Sequence, residues 1–409
     1  MSAKPQLLFL SHCLPYPPNL GVAIRSYNIL RQLTQEFCVH AVMFSRAAHQ
    51  ADGGARDAAR RALEMAGVRV AAVVPIAAEW SVARRAGDHL KSLATGRAYT
   101  YYEYESDEFR RHLDDVLARC EPSLIHVDSL DLHGWIESLP ARPIACTHHD
   151  IESDIMRQRA ANVRSRVLAS YIRLQADRIE RVERELCPRF STNVVMSQVD
   201  AERLARHAPG ARTTIVPNGV DTHFFTPLPA STVVPHRVAF VGGTHLFPNS
   251  DAVDYLLSEI WPRVRARCPA ASLRLIGRST PANQARYDAA PGVRCLGQVD
   301  DVRPHVAEAA CTVVPIRVGG GTRIKILDAW AMGRPVVASS RGCEGLCAID
   351  GENILIRDTP EEFADAVLAL LSDATLRERL AKAGRRTVEE RYSWDVVGRT
   401  LRASYATLM

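Results

Sequence analysis

Gly319-Gly320-Gly321, followed by Thr322, Arg323, Lys325 and Asp328, places three kinds of ligand-binding group within ten residues. The glycines leave backbone N–H groups uncovered by side chains. A helix-compatible segment follows and ends at Gly333 and Pro335. A bare loop feeding a helix N-terminus suits a phosphate, because unsatisfied N–H groups and the helix dipole both favour negative charge there. Arg323 and Lys325 add fixed positive charge. Asp328, about two turns in, can accept hydrogen bonds from sugar or ribose hydroxyls. The simpler alternative is an ordinary glycine-rich strand–helix turn, with Arg323 solvated and Lys325 paired to Asp328 at i,i+3.

Short apolar runs alternating with amphipathic stretches must position these groups. The first set is Leu7–Leu10, Cys38–Phe44, Val68–Ile76, Leu124–Val127, Ile144–Thr147 and Asn193–Ser197. The second is Arg237–Val241, Ser272–Ile276, Val293–Leu296, Cys311–Ile316, Pro335–Ser339 and Asn353–Ile356. Helical periodicity between them, as in Ile24–Gln35, Phe109–Arg119, Asp251–Arg267 and Glu361–Leu371, predicts βαβ units and parallel sheets. The class is α/β, with two Rossmann-like domains facing across a cleft. Residues 1–228 form the first domain and 229–392 the second, and 393–409 return to the first as a terminal helix. The join lies in Pro217–Pro235, which carries four prolines and no helical period. Ligands of such folds bind at the carboxyl ends of the strands.

The chain has 409 residues, 47% apolar and 24% charged, which suits two globular domains. A net charge of +5 accommodates anionic ligands but is no nucleic-acid signature. No run of about 18 apolar residues exists, and the N-terminus carries no signal-type cleavage site. Ten cysteines without a C-x-x-C pair read as buried thiols in a reducing cytoplasm. Asp128 with Asp131, and Asp300 with Asp301, read as loop or cap residues; no metal site is expected. Between Ile155 and Arg173 five arginines occur without an acid. They read as a solvated helix face, with anionic lipid headgroups or an acceptor phosphate as the competing reading.

Several segments together resemble the retaining family 4 glycosyltransferases (glycosyl transferases group 1) of GT-B fold. They are Pro15-Tyr16-Pro17-Pro18-Asn19-Leu20-Gly21, His148-His149-Asp150-Ile151-Glu152-Ser153, Val216-Pro217-Asn218-Gly219-Val220-Asp221, Phe240-Val241-Gly242-Gly243 with Pro248-Asn249, then Gly277, Leu296-Gly297, the glycine-rich stretch and Tyr392-Ser393-Trp394. The resemblance implies transfer of a sugar from a nucleotide-diphosphate sugar to a glycan, lipid-linked or small-molecule acceptor, with retention of anomeric configuration. It implies no cofactor beyond the nucleotide-sugar co-substrate, no metal and no nucleic acid. It implies a cytoplasmic enzyme of polysaccharide or lipid-linked glycan synthesis, with room for peripheral contact at the inner membrane surface.

By the same resemblance, Gly242, Gly243, Gly277, Gln298, Val299, Gly319, Gly320, Gly321 and Thr322 line the donor, and Gly21 approaches its phosphate. His149 is the strand-end histidine near the transferred sugar. His148 takes an acceptor role if the strand register differs by one. Arg25 binds an anionic acceptor or the diphosphate. Asp328 matches the family's ribose-binding glutamate, one methylene shorter. Gly320 stands where a first glutamate usually meets the donor sugar, which leaves that sugar open. The arginine and lysine that usually follow the first strand of the second domain are missing from Gly242–Asn249, so Arg323 and Lys325 are expected to supply their charge. Two rivals share the fold: a nucleotide-sugar epimerase, and a non-catalytic nucleotide-sugar-binding protein.

Overall fold

The computed structural model describes residues 4–229 and 232–409. The chain divides into two compact units. One comprises Met1–Pro217 with Gly398–Met409, the other Asn218–Val397. The division falls at Pro217/Asn218 rather than the expected 228/229, because the residues after Pro217 are tied into the second unit. Asn218 Nδ2 donates to Thr322 Oγ1 at 2.8 Å, Val220 bridges Ser393, and Arg385 donates to the carbonyls of Thr222 and Phe225.

The first unit holds seven parallel strands: β1 (Gln6–Ser11), β2 (Cys38–Ser45), β3 (Arg69–Pro75), β4 (Leu124–Val127), β5 (Ile144–Thr147), β6 (Thr192–Val195) and β7 (Thr213–Ile215). Their order is β3-β2-β1-β4-β5-β6-β7. Both faces are covered by helices, so the central strands are buried along their length rather than alternating. β7 has no counterpart among the apolar runs. It is a three-residue edge strand, partly exposed, and its Thr-Thr-Ile sequence carries no burial signal. The last helix, Trp394–Ala406, ends in this unit: Tyr405 is fully buried, and its hydroxyl lies 2.6 Å from His126 Nδ1.

The second unit holds six parallel strands: β8 (Arg237–Val241), β9 (Ser272–Ile276), β10 (Val293–Gly297), β11 (Cys311–Val314), β12 (Val336–Ala338) and β13 (Leu355–Ile356), in the order β10-β9-β8-β11-β12-β13. The expected helix Asp251–Arg267 is a broken one, Phe247–Tyr255 and Trp261–Arg267, joined by a wider π turn over Leu256–Ile260. Pro262 explains the break, since its missing N–H removes a regular helical bond.

In both sheets the chain leaves the first strand on one side and returns on the other. This reversal falls between β1 and β4, and between β8 and β11. The crevice at the carboxyl ends of those strands is where a parallel sheet accommodates ligands. The helix carrying Lys325 and Asp328 runs Ile324–Ala331 directly after β11. Trp330, on its inner face, is fully buried and packs on Gly384 of the helix Ala374–Arg391, where a Cβ would lie 2.4 Å from the indole. Only glycine lets the two helices approach so closely. Burying the ring favours this placement by about 2–3 kcal/mol, offset in part by Nε1–H, which has no hydrogen-bond partner among the described residues.

Candidate functional site

At the reversal point of the second sheet, Gly242-Gly243 follow β8, and Gly277 follows β9. Gly242 N donates to Ile276 O at 2.7 Å, and Gly277 N to Gly297 O at 2.8 Å. Three strand ends are thereby tied side by side. Gly277 has φ +138°, and a Cβ on it would sit 2.6 Å from the carbonyl carbon of Gly242. Gly319, at φ +109°, similarly brings the glycine-rich loop against Pro248. Gly320 and Gly321 are partly exposed beside it. Thr322 is buried by its bond from Asn218.

Arg323 is extended and immediately precedes the helix, and no side chain caps the N–H groups of the first turn. Ile326 N turns back to Arg323 O at 2.9 Å, which leaves the N–H groups ahead of it to face an anion. The Arg323 guanidinium folds back onto Gly320 O.

Lys325 does not pair with Asp328. Its Nζ donates to Asn249 Oδ1 at 2.8 Å and lies 4.5 Å from the centre of the Phe240 ring. Asn249 in turn donates from Nδ2 to Gly243 O at 3.0 Å. Among the described residues no carboxylate comes within 4.0 Å of this ammonium. Burial, and then the neighbouring Arg323 charge, push Lys325 down to about 7. Gly242 is needed for this placement, because a Cβ there would lie 2.5 Å from Nζ. Asn249 was given no role from the sequence; a polar residue six positions after a glycine pair was the available signal.

Asp328 lines a pocket with Val241, Val302, Val306 and Met332. Burial pushes its carboxyl up to about 7. Gln298 is exposed, whereas Val299 packs on Ala239 and Ile276. Asp301 caps Arg303 N at 2.9 Å, as a loop residue should.

At the reversal point of the first sheet, a buried polar cluster surrounds Asp128. Its Oδ2 accepts from Ser26 Oγ at 2.6 Å and Ser11 Oγ at 3.0 Å, while His126 Nε2 and His149 Nε2 stand 3.5 and 3.7 Å from Oδ1. Burial alone would raise this carboxyl, but the imidazoles beside it outweigh burial and hold it far below the usual range. His149 Nε2 donates to Asp128 O at 2.8 Å, so Nε2 carries a proton and the ring is held in a fixed orientation. His12 stacks obliquely on His149 at 5.3 Å, and burial pushes it down to about 3. Asp128 does lie in the loop that follows β4, as expected, but there it organises a buried polar cluster. Its role was hidden because His12, Ser26 and His149 are distant in sequence and meet only through the sheet. His12, Cys13 and Asp128 have donor atoms mutually within 4.8 Å and are the residues that would hold a cation, but the thiol is pushed up to about 12 by burial and Oδ2 is taken by two hydroxyls.

Two sequence expectations are corrected. Arg25 is 1% exposed and donates to Val216 O at 2.8 Å and Pro217 O at 3.1 Å, so it fastens the chain leaving β7 instead of facing an acceptor. Its place inside the helix Gly21–Leu33 turns it inward with Ile29. His148 bonds to Asn193 Oδ1 at 3.0 Å and lies against Cys187. It belongs to the core between β5 and β6, while His149 joins the Asp128 cluster. Gly21 is the exposed first residue of its helix.

Two family models match the chain. Residues 21–224 match Glycosyltransferase Family 4, and residues 235–373 match Glycosyl transferases group 1. A phosphatidyl-myo-inositol mannosyltransferase of Mycobacterium tuberculosis is 32% identical over 222 residues, 51% of this chain and 57% of that protein. The chain thus spans little more than half the length of that relative. The lipopolysaccharide core biosynthesis glycosyltransferase LpsE of Rhizobium meliloti is 34% identical over 107 residues, 26% of this chain and 31% of LpsE. Among solved structures, HepE of Anabaena in complex with UDP aligns at TM-score 0.68 and 15% identity, covering 98% of this chain and all of HepE. Sucrose-phosphate synthase of Thermosynechococcus elongatus aligns at 0.69 and 19%, covering 98% and 99%. Two Rossmann-like units, each with its reversal point furnished as described, are the GT-B architecture, and the chain belongs to the group 1, family 4 glycosyltransferases.

Proposed function

We propose that the protein transfers a sugar from a nucleotide-diphosphate sugar to a glycan or lipid-linked acceptor, with retention at the anomeric carbon. The observation that carries this reading is the Lys325 ammonium, partly buried, beside a second cation and with no carboxylate near it. Buried charges are ordinarily paired, so the arrangement calls for an anionic ligand. A diphosphate meets that requirement: the N–H groups after Gly320 and the Arg323 and Lys325 side chains stabilise the charge that grows on it as the glycosidic bond breaks. The 32% identity to a mannosyltransferase and the likeness to a UDP complex support a nucleotide-sugar donor.

Asp328 is the proposed ribose anchor, Gly242, Gly243 and Gly277 the close wall, and Gln298 with Val299 the base-reading backbone. His149, oriented by Asp128, is the proposed polar group acting on the transferred sugar. Retention is assigned to a front-face route, in which the leaving phosphate oxygen takes the acceptor proton. The arginines of 155–173 remain the proposed contact with anionic lipid. Arg157 is engaged with Asp177 and Glu180, which leaves Arg159, Arg164, Arg166 and Arg173 for that contact.

Incubation with UDP-, GDP- and ADP-sugars and glycan acceptors tests the reading. Release of nucleotide together with an elongated acceptor is expected. An epimerised donor, or donor bound but unchanged, would replace it with one of the two rivals. Asp328→Ala is expected to weaken nucleoside diphosphate binding about tenfold or more, since two charge-assisted hydrogen bonds are lost. Calorimetric titration reads this directly, and unchanged affinity would remove Asp328 from the site. The Asp328 carboxyl is raised on folding, so its ionisation costs stability above its unfolded value, fully so above about 7. Asp328→Asn should therefore melt higher than the parent protein at pH 8 and equally at pH 3.

A further inference from the structure

A second polar cavity lies within the first unit, bounded by the segment Thr95–Tyr101, by His133, Gly134 and Glu137, and by one side of the helix Arg166–Leu186. Its volume is about 290 Å³. Arg178 forms the inner wall and is only 9% exposed. Its Nη1 donates to Ser92 O at 2.7 Å, Ser92 Oγ at 2.8 Å and Arg97 O at 3.1 Å. All three acceptors are neutral. Among the described residues no carboxylate lies within 4.0 Å of the guanidinium, so a nearly buried cation lines the cavity without a contact ion pair. Capping the helix that ends at Thr95 accounts for one edge of Arg178, but a neutral donor would serve that purpose without the cost of burying a charge.

The rest of the wall supplies complementary chemistry. His133 is also 9% exposed; its Nδ1 donates to Leu130 O at 3.2 Å, and burial pushes it down to about 4, so Nε2 is an acceptor. The Tyr101 ring is held between the Arg97 guanidinium, 4.3 Å from its centre, and Gly134, where a Cβ would stand 3.1 Å from the ring. Arg181, Glu137 and Glu185 reach the rim, and among the described residues none of them makes an ion pair. Arginine forks suit a carboxylate or phosphate, while carboxylates and a neutral imidazole accept from hydroxyls. We infer that this cavity binds an anionic sugar unit, a phosphorylated or uronic residue of the acceptor glycan. The inference rests on the transferase reading for its biological sense, but its test does not.

The protein, saturated with a nucleoside diphosphate that it binds, is titrated in separate arms with glucose 6-phosphate, glucuronate, glucose and inorganic phosphate. At least one anionic sugar is expected to bind about tenfold or more tightly than glucose and phosphate, and the tighter arm identifies the anion. Arg178→Gln risks the helix cap, so Arg181→Glu at the rim is the working variant; it should weaken the anionic sugar about tenfold with an unchanged melting point. The inference is overturned if neither anionic sugar binds below about 10 mM, or if Arg181→Glu binds it as the parent does. Nucleotide binding without sugar binding would sink this site alone. Failure of every nucleotide would sink the donor site, and the sugar arms, run without nucleotide, would still decide this one.

Discussion

Lys325→Met is expected to lower kcat/KM about 10²- to 10³-fold while raising the melting temperature. The substitution keeps the length and apolar stem of the side chain but removes the ammonium. Removal of one preorganised donor to a developing oxyanion costs about 10²–10³ in rate. The stability gain follows from the same burial. The Lys325 ammonium sits at about 7, well below its ordinary 10.5. A lowered lysine makes folding costlier wherever the unfolded chain is charged and the folded group is strained to be. That cost is absent above the unfolded value, grows as pH falls, and is complete below about 7. The variant should therefore gain about 1–2 kcal/mol near pH 6.5, discounted for partial exposure, and nothing above the ordinary lysine range. A diphosphate would restore the charged form, so nucleotide binding by the parent at pH 8 should take up protons, seen as a dependence of binding heat on buffer. A variant with parental kcat/KM and a lower melting temperature would remove Lys325 from the donor site.

Gly277→Ala should abolish nucleotide binding and destabilise the second unit by about 3 kcal/mol or more. Two costs combine. The left-handed φ of +138° is poorly tolerated by an L side chain. The added methyl would also lie 2.6–2.8 Å from Gly242 C, Gly243 N and Gly242 O, which is backbone and cannot rotate away. The strand-end ties from Gly242 N and Gly277 N would part, and with them the wall facing Lys325. Gly351 provides the control. Its φ is +72°, but a Cβ there meets nothing within 4 Å. Gly351→Ala should cost only about 1 kcal/mol and leave nucleotide affinity as it was. Equal effects of the two variants, measured by denaturant unfolding and calorimetry, would show that φ and not close approach governs Gly277.

The sequence by itself determined the alternation of buried strands and amphipathic helices, and so two parallel sheets. Continuous apolar runs such as Leu7–Leu10 and Cys311–Ile316 are a local signal, because strands covered on both faces need no alternation. The Gly319–Asp328 constellation was legible for the same reason: loop, cap and helix are contiguous, so spacing alone placed Arg323, Lys325 and Asp328 at one strand end. The short edge strand Thr213–Ile215 left no such mark, since a half-exposed edge needs no apolar residues.

Only the tertiary structure decided which polar groups meet. Lys325 could reach Asp328 along the helix, yet it turns to Asn249 because Gly242 leaves space on that side. Arg25 had the spacing of a ligand-binding residue, but packing aims it at the carbonyls of Val216 and Pro217. His148 and His149 differ by one position and part company between core and cluster. Asp128 acquires its hydroxyl and imidazole partners from three other segments of the chain. Periodicity records which face of an element is buried. The partners of a buried charge are set by what crosses that face from elsewhere, and no local pattern encodes them.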